Sequence, residues 1–229
     1  MSVIKSYRWL DKPQIEQAAH NLLQKMEDTP NAPKWPYVAD RAANFLKLNI
    51  AWTSIPCEAD TPVFARIYPT QRLIELNEDL PMLQDNAGLE QSTLGHEIGH
   101  WMLHINQDEA HGITKQTELN FGDATVSQPF LCRSVNPDNA PWVRLSTQAE
   151  SVEWQAQYFS SCLLMPKHKL LEVKRGRNLT NYRHLQAMKE ELGVSFANLK
   201  HRLKDLGWIR EVRGSRQLYL GINIPTDPE

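Results

Sequence analysis

Apolar residues return every three to four positions over several stretches of this chain, and cluster densely over a few short ones. Between 13 and 26, Ile15, Ala18, Ala19, Leu22 and Leu23 fall on one face, and Pro13 suits a first turn, so a helix is predicted there. Pro30, Pro33 and Pro36 then interrupt the pattern. A second helix is expected over 38–48, with Ala42, Phe45 and Leu46 in phase. Stretches 63–68 and 73–76 are rich in β-formers and flank Pro69-Thr70-Gln71, which predicts two strands and a turn. Over 92–105, Leu94, Ile98, Trp101, Met102 and Ile105 form a stripe that Ser92 can cap. Residues 106–147 show weak periodicity and several Asn, Asp and Pro, so no regular element is expected in them.

A strong helical pattern resumes over 148–165 and stops at Pro166. Three further helices are predicted over 167–174, 182–192 and 195–206, with Gly193-Val194-Ser195 between the last two and Gly207 closing the final one. Stretches 208–212 and 217–222 around Arg213-Gly214-Ser215 read as a hairpin. Helix, tight turn, helix and hairpin is the outline of a winged helix-turn-helix. The expected fold class is α+β: a mainly helical domain with a small sheet over 1–166, whose first 50 residues are helical, and a basic winged segment over 167–229.

Composition adds little until it is read by region. The 229 residues can bury a sizeable core, and 41% hydrophobic with 23% charged is ordinary for a globular chain. The net charge of -2 marks no general polyanion binder. From 166 to 216, however, thirteen Lys/Arg face five Asp/Glu, a surplus of eight, and the remaining residues carry the opposite excess of ten. Such an asymmetry suits two parts with different partners, or simply a solvated basic face. Cys57, Cys132 and Cys162 are odd in number and widely spaced, which argues against a disulfide framework and for a reducing cytosol. Neither a signal peptide nor an apolar run long enough to span a membrane is visible, so a cytoplasmic location is expected.

The chemistry concentrates in His96-Glu97-Ile98-Gly99-His100. Four-residue spacing on a helix puts both imidazoles on one face, about 6 Å apart along the axis, which suits two ligands of one metal. Glu97 is then free to serve as the base that takes a proton from water as it attacks a carbonyl. A catalytic zinc site needs a third protein ligand. Asn106 occupies the position where a collagenase-like extension needs His, which leaves a carboxylate on a later helix. Glu153 and Glu150 lie on nearly the same stripe of the 148–165 helix, and spacing alone does not choose between them. Gln157, one turn beyond Glu153, can hydrogen-bond a ligand histidine, and the small Ala156 permits close helix approach. His104 lies about 80° around the helix from His96, so a structural histidine near the helix end is expected. Cys132 can be read as a blocking thiolate or an ordinary free cysteine. His111, Tyr158 and Arg144 are candidates for stabilising an oxyanion.

The run from His96 to His104, followed by Glu153-Trp154-Gln155-Ala156-Gln157 and on to Met165-Pro166, resembles the ImmA/IrrE family of zinc metallopeptidases. That family pairs an HExGHxxLH helix with a helix of the form ExxANxFAxxLLMP. Ile74-Glu75-Leu76-Asn77 fits ahead of these helices, and Val194-Ser195 with Arg202-Leu203 and Leu206-Gly207 resembles the helix-turn-helix that often follows. The resemblance spans about residues 60–208. It implies one zinc per chain on His96, His100 and Glu153, with Glu97 as base, and so favours Glu153 over Glu150. It implies a site-specific endopeptidase acting on a protein, usually an Xre-type helix-turn-helix repressor, to induce stress-response or mobile-element genes. Gln157 stands where the family usually has Asn or Asp, and Ser160 where it usually has Ala.

The alternative is a DNA-binding regulator with a structural zinc site. On that reading Asn198, Lys200, His201 and Arg202 would meet DNA, or else a protein substrate. Open coordination beside Glu97 favours the enzyme, because structural sites usually close with four protein ligands.

Overall fold

The computed structural model describes residues 3–57, 62–110, 147–212, 214–215 and 217–225, and the backbone of 130–133. Helix α1 (Lys12–Glu27) starts on a capping box between Asp11 and Gln14 and buries Ile15, Ala19, Leu22, Leu23 and Met26. Helix α2 (Val38–Phe45) ends three residues short of its expected limit. The chain turns there through Lys47, at φ 57°, and enters strand β1 (Asn49–Thr53), whose polar ends and exposed Trp52 had concealed it.

Strands β2 (Val63–Tyr68) and β3 (Leu73–Asn77) pair antiparallel across the Pro69–Gln71 turn. β1 joins β3 in parallel, and β4 (Phe130–Arg133) joins β2 antiparallel, giving the order β1-β3-β2-β4. β4 lies inside the stretch expected to lack regular structure, because its four residues are too short to display a period. Asn77 ties off the sheet: its amide donates to the carbonyls of Ile55 and Val63 and its oxygen accepts from the backbone of Ile55 and Asp79.

After the short helix α3 (Pro81–Gln84), α4 (Ala87–Leu103) begins five residues earlier than Ser92 suggests. Asn86 caps it by accepting from the Leu89 backbone. Ser92 is instead buried, donating to the Gly88 carbonyl and accepting from Asn198. Helix α5 (Gln148–Leu164) starts on a second capping box, Thr147 with Glu150.

α4 and α5 lie against each other at the centre of the molecule, in contact through glycine. A Cβ on Gly99 would sit 2.8 Å from the Ala156 carbonyl oxygen, and one on Gly95 would sit 2.5 Å from Ser160 Oγ. The sheet covers one side of α4, while α1 and α2 close other sides of the pair.

Helices α6 (Lys167–Lys174), α7 (Tyr182–Leu192) and α8 (Phe196–Asp205) follow, with Gly193 in the left-handed region at φ 66° and Ser195 capping α8. β5 (Ile209–Glu211) and β6 (Leu218–Leu220) form a two-stranded hairpin. Leu185, Met188, Leu192, Leu199 and Leu203 belong to the same apolar core as Ile15, Leu94 and Ile98. Part of the basic surplus is also neutralised internally, since Arg202 and Lys167 both bond Glu16 of α1, at 2.6 and 2.8 Å. Among the described residues, no helix is long and apolar enough to cross a membrane.

Residues 3–11, to which the sequence pattern assigns no element, run along the end of α4. Ile4 forms a bridge with Ile105, the Lys5 amide donates to the His104 carbonyl, and Trp9 stacks on Trp154 with ring centres 5.5 Å apart.

Candidate metal centre

α4 supplies His96 and His100 from consecutive turns, and α5 supplies Glu153 from the first turn past its capping box. The glycine contact between the helices brings one ligand atom from each of these three side chains within 4.8 Å of the others. His96 Nε2 lies 3.1 Å from Glu153 Oε2 and 3.0 Å from His100 Nε2, and His100 Nε2 lies 3.5 Å from Glu153 Oε1. Glu150 does not share this position. Its carboxylate accepts from the Thr147 backbone amide at the exposed start of α5.

Both imidazoles are essentially inaccessible to solvent, whereas Glu153 is half-buried. Burial lowers the pKa of His100, despite the opposing pull of Glu153. Burial would also raise Glu153, but its hydrogen bonds to His100 and His96 and their charge outweigh this and hold its carboxyl well below the usual range. Two imidazoles and one carboxylate bring three donor atoms to one point. That donor set fits a divalent cation of borderline softness.

Glu97 sits between these histidines in sequence and is fully buried, and neither carboxylate oxygen has a hydrogen-bond partner among the described residues. Burial raises its pKa to about 8, with the Glu153 charge adding to the rise and His96 opposing it. An orphaned buried carboxylate costs stability, and a cation with its water beside it would relieve that cost.

Gln157 Oε1 lies 3.3 Å from His96 Nδ1. His104 is more than a helix-end histidine. Its Nδ1 lies 3.1 Å from His100 Nδ1, and its Nε2 lies 3.3 Å from Gln155 Oε1. The signal was present in the sequence: His104 is one turn from His100, although it is rotated away from His96.

Tyr158 faces elsewhere. Its hydroxyl accepts from Arg202, its ring lies under Lys12, and burial pushes its pKa up. His111 and Arg144 lie outside the described residues, as does the Cys132 side chain.

The four residues expected to meet DNA or substrate are not together on an open face. Arg202 is 1% exposed and donates to Glu16, Tyr158 and the Met165 carbonyl. Asn198 donates to Ser92, Lys200 pairs with Glu211 at 2.6 Å, and His201 is half-buried. An apolar period of three to four cannot reveal this, because a buried arginine reads as polar in sequence.

The family Peptidase_M78, described as the IrrE N-terminal-like domain, matches residues 144–204. The matched region takes in α5 with Glu153 and continues through α6, α7 and most of α8, whereas α4 with its two histidines lies before it. No curated protein matches the chain. The first helix of the matched region completes the His-His-Glu cluster, so residues 144–204 are similar to the IrrE N-terminal-like peptidase domain over the stretch that supplies Glu153.

Proposed function

We propose that this chain is a zinc-dependent endopeptidase in which His96, His100 and Glu153 hold one zinc ion and Glu97 is the general base. The observation that carries the reading is the convergence of these three side chains beside a buried, unpartnered Glu97. Zinc at this site supplies Lewis-acid polarisation of a peptide carbonyl and makes water acidic enough to act at neutral pH.

The protein's own groups do the rest. Gln157 Oε1 accepts from His96 Nδ1–H and so keeps the Nε2 lone pair turned toward Glu153. Glu97 takes the proton from the attacking water and returns it to the leaving amine. Its enclosure keeps this carboxylate from being levelled by bulk water.

The substrate in this reading is a protein, of the helix-turn-helix repressor class, cleaved at one site in the cytoplasm. Residues 1–166 act as the peptidase body. Residues 167–229 form a winged helix-turn-helix-like segment seated on it, whose exposed side docks the substrate. Asn198 and Arg202 favour this over DNA reading, because both are committed inside the protein.

The test is Glu97→Gln, with metal analysis run beside a cleavage assay on a helix-turn-helix repressor. The variant is expected to keep one zinc per chain and to lose cleavage by several orders of magnitude. Cleavage at the wild-type rate would remove Glu97 from the mechanism, and a wild type without zinc would remove the metal.

A further inference from the structure

A second line of hydrogen bonds leads to His100 from the N-terminal segment. The Arg8 carbonyl oxygen can only accept, and Gln155 Nε2 lies 3.3 Å from it and 3.2 Å from Ser151 Oγ. This orients the Gln155 amide, because the flipped amide would set its oxygen against the Arg8 carbonyl. Tyr7 holds Ser151 in turn, its hydroxyl donating to Ser151 Oγ at 2.9 Å. Gln155 Oε1 therefore faces His104 Nε2 at 3.3 Å, and that nitrogen must carry the proton. A neutral His104 then has a bare Nδ1. Its neighbour at 3.1 Å is His100 Nδ1, which must be the N–H of that pair. His100 is thereby left with its lone pair on Nε2, the nitrogen that faces His96 and Glu153.

We propose that Gln155 and His104 are positioning residues that fix His100 in its Nδ1–H tautomer, and that the Arg8 carbonyl sets the direction of the whole chain. The inference rests on the reading that His100 is a metal ligand. Neutral imidazole has two tautomers, and only one offers Nε2 to an ion. His96 is held the same way by a single side chain, Gln157. His100 is reached by an α5 amide through an intervening imidazole, His104. Gln155 is fully buried and His104 is 9% exposed, so both bonds lie largely out of bulk water. Partners of this kind typically change metal affinity about 10–100-fold when removed.

The experiment has two arms, both on the full chain. Long-range proton–nitrogen NMR on metal-free wild type reads the tautomers directly. The expected result is His100 protonated on Nδ1 and His104 on Nε2; His100 protonated on Nε2 overturns the proposal. Zinc affinity by chelator competition is then compared across variants. Gln155→Leu and His104→Phe are expected to weaken zinc about tenfold or more. Wild-type affinity in both Gln155→Leu and His104→Phe overturns the relay while leaving the metal site intact. If wild type takes no zinc at all, the metal reading fails, and the NMR arm still decides the hydrogen-bond order.

Discussion

Two carboxylates three residues apart on α5 have unrelated tasks. Glu150 closes the capping box with Thr147, while Glu153, past the cap, faces the imidazoles. Their substitutions should therefore separate cleanly. Glu150→Ala is expected to cost about 0.5–1 kcal/mol of stability through the lost cap and to keep full metal content. Glu153→Ala should remove stoichiometric zinc. Metal analysis and chemical denaturation on both variants check this, and loss of zinc from the Glu150 variant alone would reassign the ligand. Glu97 differs from both, since its burial finds no compensating bond among the described residues. A group of that kind persists where function requires it.

At the level of elements, the site exists because two helices touch without side chains between them. Replacing an ordinary helix glycine by alanine gains up to about 1 kcal/mol. At Gly99 the sign should reverse. A methyl group there would meet the Ala156 Cα at 2.9 Å and its carbonyl oxygen at 2.8 Å, and backbone cannot rotate away. Gly99→Ala is expected to destabilise by about 1–3 kcal/mol as the helices separate. Zinc affinity should fall with it, because His96 and His100 ride on one helix and Glu153 on the other. Thermal unfolding and chelator competition on Gly99→Ala measure both effects, and an unchanged melting temperature would count against close contact. Gly88 plays a similar part at the start of α4, where a Cβ would lie 2.6 Å from the Val194 carbonyl carbon. The turn between α7 and α8 thus packs directly on the helix that carries His96 and His100.

Across the whole molecule, the first helix and the last are joined by charge. Arg202 is buried in α8 and meets Glu16 of α1, which also receives Lys167. Burial alone would raise the Glu16 pKa, but the bonds and charges of Lys167 and Arg202 outweigh it and hold it below its ordinary 4.5. A carboxyl depressed in the folded state contributes stability that is present above its unfolded value. That contribution is lost as pH falls below 4.5 and through the lower native value. Glu16→Gln should destabilise the protein by about 2–4 kcal/mol at pH 7, since it leaves a buried guanidinium without its counter-charge. Its stability should also fall less steeply than that of wild type below pH 4.5. Denaturant titrations of both proteins at pH 7 and pH 4 test the pair; equal losses on acidification would show that Glu16 carries none of it. The same bonds explain why a basic C-terminal surplus need not imply a nucleic acid, since part of it answers acidic groups of α1.

The sequence by itself determined what depends on local spacing. A period near 3.6 marked the helices, β-rich runs around Pro69 marked one hairpin, and the four-residue step from His96 to His100 put two imidazoles on one face. Glu153 needed the resemblance to be preferred, because two carboxylates on one stripe are equivalent until a neighbouring helix selects between them. Tertiary structure alone decided the rest. β1 and β4 are short strands whose pairing partners are distant in the chain. Ser92 reads as a cap, yet Asn86 does that work and Ser92 meets Asn198. Arg202 reads as a surface cation, yet it is buried because Glu16, 186 residues away, is brought to it. His104 reads as an incidental histidine until Gln155, itself bonded to the Arg8 carbonyl, is placed beside it. Spacing fixes which face a side chain occupies, but which groups meet there depends on contacts between segments far apart in the chain.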